Sequence, residues 1–195
     1  MEERGAAVFD FDRTLVRQES LAMFLQALVG RRRYFSVCCV AGLKAAGSAS
    51  GERRNTFRIE LFRRTLAGKT IAQAQEAAGQ VFARLDWIGT TIEALVRHRD
   101  EGRRILVATG SLSLYVPVLL ALKGLAIDGL LATEIGVVEG VFTGEMMTAS
   151  CTGAEKARRV GEWLAGIDGP LWGYGNLPHD GAMLALTHHP TVVAS

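Results

Sequence analysis

The sequence predicts an α/β fold: a parallel sheet with helices on both faces, interrupted early by a long helical insertion. Three observations carry this. Short apolar runs alternate with helical segments through the second half of the chain, the pattern of a parallel sheet covered on both sides. Residues from about Ser20 to Trp87 keep helical spacing and hold no convincing strand. The length, 195 residues at 49% hydrophobic and 22% charged, suits one core domain with a modest insertion and argues against disorder.

The elements follow in order. Ala6-Ala7-Val8-Phe9 is a short apolar run ending at charged residues, a buried strand that carries Asp10 at its C-terminal end. Leu21, Phe24, Leu25 and Leu28, then Phe57, Leu61 and Phe62, mark helical faces, with a break among Gly42, Gly47, Ser48, Ser50 and Gly51. Thr91 to Arg99 is helical, and Arg104 to Ala108 is a strand closed by Thr109-Gly110-Ser111. Tyr115 to Leu122 is helical with Pro117 in its first turn, and Ile127 to Ala132 is a strand. Val137 to Phe142 reads as a hairpin turning at Glu139-Gly140. A helix from Ala154 to Leu164, a strand from Pro170 to Tyr174, a helix from Asp180 to Leu186 and a strand at Thr191 to Val193 complete the pattern.

Several classes of function are disfavoured. A net charge of +2 is too small to imply nucleic acid, and the runs Arg31-Arg32-Arg33 and Arg53-Arg54 read as solvated faces. Cys38, Cys39 and Cys151 are odd in number and lack C-x-x-C spacing, which favours reduced thiols and a cytoplasmic protein. No signal peptide is expected behind Met1-Glu2-Glu3-Arg4. The apolar stretch from Tyr34 to Ala46 contains Lys44 and is shorter than the ~20 residues a membrane-spanning helix needs.

Four polar clusters fall after strands or at helix starts. Ligands of open parallel sheets bind at the carboxyl ends of the strands, so these clusters can converge on one site. In Asp10-Phe11-Asp12-Arg13-Thr14 two carboxylates sit two residues apart, on one side of an extended segment. Like charges so close call for a cation or proton, and hard oxygen donors suit magnesium; a plain surface turn is the alternative. Thr109-Gly110-Ser111 offers hydroxyls and backbone N–H groups for phosphate oxygens, or simply a turn. Lys156 lies at a helix start, where the dipole favours anions, so a phosphate plus a carboxylate is expected to hold it unless solvent does. Asp180, in Gly175-Asn176-Leu177-Pro178-His179-Asp180, either serves the site or favours the next helix through its dipole.

In this order and spacing the clusters resemble the haloacid dehalogenase-type phosphohydrolase superfamily, in its phosphoserine-phosphatase-like branch. Asp10-x-Asp12-x-Thr14 is similar to the first motif, Thr109 to the hydroxyl of the second, Lys156 to the basic residue of the third, and Asn176-x-x-x-Asp180 to the acidic fourth. Thr143-Gly144 through Cys151-x-Gly153-x-Glu155-Lys156 also resembles a subgroup with phosphatidylglycerophosphatase-like members. The resemblance implies a Rossmann-like core at residues 1–18 and 89–195 and a helical cap at 19–88; flexible connections are expected near Arg17 and Gly89. It implies Asp10 as nucleophile and magnesium ligand, and Asp12 as general acid and base with its carbonyl on the metal. Thr109, Gly110 and Lys156 would bind phosphate, and Asn176 and Asp180 would complete the shell around Mg2+.

The expected activity is a magnesium-dependent phosphomonoesterase with an aspartyl-phosphate intermediate, acting on a small-molecule or lipid phosphate. An alternative is a non-catalytic or weakly active phosphate-ligand-binding protein on the same scaffold, because Asn176 stands where the fourth motif begins with an acid. A phosphotransfer receiver is a third class, and the large insertion after the first strand does not fit it. Basic residues beside the apolar stretch can favour an anionic membrane surface, although packing within the cap or against a partner is the preferred reading.

Overall fold

The computed structural model describes residues 5–194. Strand β1 (Ala6–Phe9) sits at the centre of a five-stranded parallel sheet in the order β3-β2-β1-β6-β7, with β2 at Arg104–Leu112, β3 at Gly129–Thr133, β6 at Leu171–Gly175 and β7 at His189–Val192. All four side chains of β1 are fully buried. Ala6 and Val8 join one core with Val160, Leu164, Met183 and Leu184, while Ala7 and Phe9 join the other. This is why the strand reads as a continuous apolar run rather than an alternation: both faces are covered. Phe9 stacks on Tyr174 at 4.4 Å between centroids, and burying such a side chain contributes about 1.5–3 kcal/mol.

Between β1 and β2 run four helices of the insertion, α1 (Ser20–Val29), α2 (Arg31–Ala46), α3 (Arg53–Leu66) and α4 (Ile71–Phe82), and then α5 (Gly89–Asp100). The helical reading of this segment holds, but α2 continues through Gly42 and stops only at Ala46. Gly30 separates α1 from α2 with φ +82°, a conformation that glycine adopts without a Cβ penalty. Helix α4 starts on a capping box in which Thr70 and Gln73 satisfy each other's backbone N–H groups. The ends of the insertion are cross-braced rather than loose. Arg17 N–H donates to the Asp86 carbonyl at 2.9 Å, Ile88 N–H to the Leu15 carbonyl at 2.9 Å, and Asp86 N–H to Gln18 Oε1 at 3.0 Å.

After β2 come α6 (Val116–Lys123), β3, the hairpin β4 (Ile135–Val138) and β5 (Val141–Met146), α7 (Gly153–Leu164), β6, the one-turn α8 (Gly181–Leu184) and β7. Strand β2 runs past the expected end at Ala108, because its pairing with β3 resumes at Leu112 beside Thr133 after a shift in register. The hairpin turns at Glu139 and Gly140, both at positive φ (49° and 77°), as a two-residue turn requires. It is stitched to the insertion: Phe142 N–H donates to Lys69 O at 2.8 Å, Gly68 N–H to Phe142 O at 3.0 Å, and Ile71 N–H to Gly140 O at 3.1 Å. At Gly144, φ +80°, an added Cβ would come within 2.9 Å of Arg63 Cα, so strand and helix touch through a glycine. Among the described residues no helix is long and apolar enough to cross a membrane.

Candidate active site

The strand order reverses at β1, whose neighbours are β2 on one side and β6 on the other. A crevice at the carboxyl ends follows from that topology. Asp10 is the first residue past β1, and its N–H is fixed to the Tyr174 carbonyl at 2.9 Å. The next residues turn sharply: Leu15 and Val16 N–H both donate to the Phe11 carbonyl, at 2.9 and 3.2 Å, and Arg13 takes φ +59°. That left-handed backbone is uncommon for a side-chain-bearing residue and keeps the turn tight.

A cavity of about 130 Å³ opens there. Asp10, Asp12, Thr109 and Gly110 line it from β1 and β2. Lys156, Asn176 and Asp180 line it from α7 and the loop after β6. The structure therefore brings all seven sequence-predicted site residues into one place.

Lys156 is buried rather than solvated. Its Nζ donates to Asp10 Oδ1 and to Asp180 Oδ1, both at 2.7 Å. Burial disfavours the ammonium, but the two carboxylates outweigh it and hold Lys156 above the ordinary lysine range. Burial pushes the Asp10 carboxyl up to about 7; Lys156 opposes this, while Asp180 and Asp12 add repulsion. Asp180 uses its other oxygen, Oδ2, to accept the Asn176 N–H at 2.9 Å. Gly175 is required beside it, because a Cβ there would fall 2.7 Å from Asp180 Cβ.

Asp12 spans the two halves of the molecule. Its Oδ1 accepts the N–H of Ser20 at 2.7 Å, and its Oδ2 accepts the hydroxyl of Ser111 at 2.6 Å. Ser20 opens α1, which has no side-chain cap of its own, so Asp12 supplies an anion to that helix start. Burial raises the Asp12 carboxyl above its usual range, with the Ser111 and Ser20 hydrogen bonds opposing. Thr109 Oγ1 accepts the Ser111 N–H at 3.1 Å. At Gly110 in β2 an added Cβ would lie 2.6 Å from Thr152 Cγ2, so the strand passes close to the start of α7 and a larger residue would have to displace the Thr152 side chain.

Sequence reasoning missed Arg58. It reaches the cavity from α3, donates from Nη2 to the Gly110 carbonyl at 2.6 Å, and lies over the Phe62 ring at 5.0 Å. Its Nε is buried without a hydrogen-bond partner. Burial, with Arg54 adding repulsion, lowers it to about 10. The available signal was a cation on the same helical stripe as Leu61 and Phe62, where an apolar residue is expected. Glu19, Arg54 and His179 also line the cavity, each exposed.

The donor set bears on metal binding. Among the described residues, no three His, Cys, Asp or Glu side chains gather as a ligand cluster on their own, so a metal here would also need main-chain and amide oxygens. Asp12 and Asn176, which line the same cavity, carry a main-chain and an amide oxygen. Asp10 and Asp180 share a single ammonium, which leaves negative charge for a cation to offset. An all-oxygen set of this kind fits magnesium.

Comparison with known proteins bears on the family and the fold. The chain is 29% identical over 169 residues to a phosphoserine phosphatase of Mycobacterium tuberculosis, covering 80% of this chain and 53% of that protein. It is 28% identical over 173 residues to a putative hydrolase of Mycobacterium leprae, covering 80% and 54%. The chain thus spans about half the length of the relatives it matches. Among solved structures, a protein of unknown function from Bordetella pertussis superposes with a TM-score of 0.74 at 17% identity, covering 97% of this chain and 90% of the other. A phosphoserine phosphatase solved as a phospho-aspartyl intermediate analogue superposes with a TM-score of 0.62 at 16% identity, covering 97% and 86%; these two likenesses concern the fold. The model of haloacid dehalogenase-like hydrolases matches residues 7–185, nearly the whole described chain, and this protein belongs to that family.

Proposed function

We propose that this protein is a magnesium-dependent phosphomonoesterase that passes through an aspartyl-phosphate on Asp10. The observation that carries the reading is the buried trio Asp10, Lys156 and Asp180 at the end of the central strand, with Asp12 beside it. An Asp10 carboxylate oxygen attacks phosphorus, and the ester P–O bond breaks. Asp12 gives its proton to the departing oxygen; its burial favours the protonated form that this step needs. Water then attacks the same phosphorus and loses its proton to Asp12, and the bond to Asp10 breaks, releasing phosphate and restoring the carboxylate. Thr109, Gly110 and Lys156 hold phosphate oxygens. Asp10, the Asp12 carbonyl, Asn176 and Asp180 would hold magnesium. Bound there, the ion would offset the charge that builds on the phosphoryl oxygens.

The insertion, residues 19–88, acts as a cap over the site. The entry of Arg54 and Arg58 into the cavity supports this. Their charge favours a small-molecule or lipid phosphate with a second anionic group, and phosphoserine is the first candidate because the Mycobacterium tuberculosis relative is a phosphoserine phosphatase. Phosphate release from a panel of esters, including lipid phosphates in detergent, tests the assignment with and without magnesium. Asp10→Asn should lower turnover at least ~1000-fold with the fold intact, because an amide does not attack phosphorus as a carboxylate does. Turnover close to the parent rate would remove Asp10 from the mechanism.

A further inference from the structure

We propose that the outward face of α2 docks on an anionic phospholipid bilayer. The helix is apolar on two sides. Val37, Ala41 and Ala45 face inward and are buried. Phe35, Cys39 and Leu43 recur every fourth residue on the opposite side, so they form one stripe along the helix. Packing within the cap does not cover them: Phe35 is 54% exposed and Leu43 is 77% exposed. Arg31, Arg32 and Arg33 stand exposed at the N-terminal end of this stripe, and Arg32 falls on the stripe itself.

The charge pattern identifies the partner. From Ser20 to Gly51 the chain has no aspartate or glutamate. Among the described residues no ion pair engages the three arginines, whereas Lys44, further along α2, is taken by Glu60 of α3. An uncompensated cluster of arginines beside exposed Phe35 and Leu43 fits an anionic bilayer surface, where the arginines meet lipid phosphates and the apolar side chains enter the headgroup region. A second copy of the chain fits worse. A symmetric pair through this face would bury the arginines of both copies with no acidic residue on the helix to receive them.

The proposal concerns binding and stands apart from the catalytic reading, so it is read without turnover. Sedimentation of the whole chain is measured with phosphatidylcholine vesicles and with vesicles containing about a third phosphatidylglycerol, since each basic residue at an anionic surface adds about fivefold in binding. The expected result is binding to the anionic vesicles at least ~10-fold tighter than to the neutral ones, weakened by high salt. The triple variant Arg31→Ala, Arg32→Ala, Arg33→Ala and the single variant Leu43→Glu should each lose most of it. Both change exposed positions, and their thermal midpoints should match the parent. Absence of binding, or equal binding to both vesicles, overturns the proposal. So does a concentration-dependent dimer that Leu43→Glu dissociates while vesicles are ignored.

Discussion

Asp10, Thr109, Lys156 and Asp180 come from the sheet half and are all buried, each tied to a neighbour by a hydrogen bond or ion pair. From the insertion, Glu19 and Arg54 reach the same cavity exposed, and only Arg58 is buried. The two halves differ in what fixes a side chain. In the sheet half, strand ends and helix starts place each group through the backbone. In the insertion, helix packing sets the direction and the side chain's own length does the rest. Groups that handle phosphate need the first kind of placement, because in-line transfer tolerates little misalignment. On the proposed function, groups that choose among substrates would work with the second.

The largest effect that sharpens this contrast is expected at Arg58. Arg58→Ala should lower kcat/KM about 10- to 100-fold, the worth of one or two charge-assisted hydrogen bonds. Most of the loss should fall on KM if the insertion recognises and the sheet half reacts. Steady-state kinetics on the best substrate of the panel decide; a loss confined to kcat would place Arg58 with the chemistry. Gly144→Ala attacks the seam between the halves. Its φ of +80° and the 2.9 Å approach to Arg63 Cα predict a loss of about 1–3 kcal/mol, read as a lowered urea midpoint. An unchanged midpoint would mean that hairpin and α3 are not pressed together.

Asn176→Asp tests the proposed magnesium site. Adding a carboxylate to an oxygen site should lower the magnesium needed for half-activity about tenfold, a net gain of ~1.4 kcal/mol after desolvation. Identical titrations of both forms would take Asn176 away from the metal.

An effect of similar size concerns pH and the core under β1. His98 on α5 is buried, with Nδ1 facing the Arg103 guanidinium at 2.7 Å and Nε2 facing the Tyr174 hydroxyl at 2.9 Å. A guanidinium only donates, so Nδ1 accepts and Nε2 carries the proton toward Tyr174. Burial, with Arg103 and Arg97 adding repulsion, lowers His98 to about 4 from 6.5. Below pH 6.5 the unfolded chain takes up a proton that the folded chain refuses, so stability falls as pH drops from 6.5 to about 4 and then levels. Part of the shift is screened where Arg103 meets solvent, which leaves about 1–2 kcal/mol. Urea unfolding across that window, compared with His98→Gln, measures it; an equal slope in both would assign the pH dependence to other groups.

The sheet half was legible in sequence because its signals are local. Ala6 to Phe9 is apolar throughout since both faces are covered, Asp10 follows a strand, Lys156 and Asp180 lie at helix starts, and Thr109 sits at the end of the apolar run Ile105 to Ala108, a readable position although β2 continues past it. Arg58 was not legible. Its importance depends on α3 crossing to meet Gly110, a contact between residues far apart in sequence that no periodicity encodes. The tie from Asp12 to the Ser20 N–H escaped for the same reason. The break read among Gly42, Gly47, Ser48, Ser50 and Gly51 falls between Ala46 and Arg53; Gly42 stays helical because one glycine costs a helix only about 1 kcal/mol, less than the packing of Val37, Ala41 and Ala45 returns. Strand β2 outran its expected end because partnership with Thr133, not composition, decides where a strand stops.

The braced neck, where Leu15 to Gln18 meet Asp86 to Ile88, also bears on how the chain folds. Strand β1 pairs with β2 and β6, whose residues lie far along the sequence, and such distant pairings are slow to find. Helices α2 and α3 pack on each other and are joined by a short turn, and local helical contacts form in about a microsecond. An insertion that organises itself first and closes its neck draws Leu15 and Ile88 together. The span that must loop before β1 meets β2 is then several times shorter. By the logarithmic cost of loop closure, this relieves the search of about 1 kcal/mol of chain entropy. The segment that carries Arg58 to the cavity therefore also lowers the kinetic barrier to assembling the sheet beneath it.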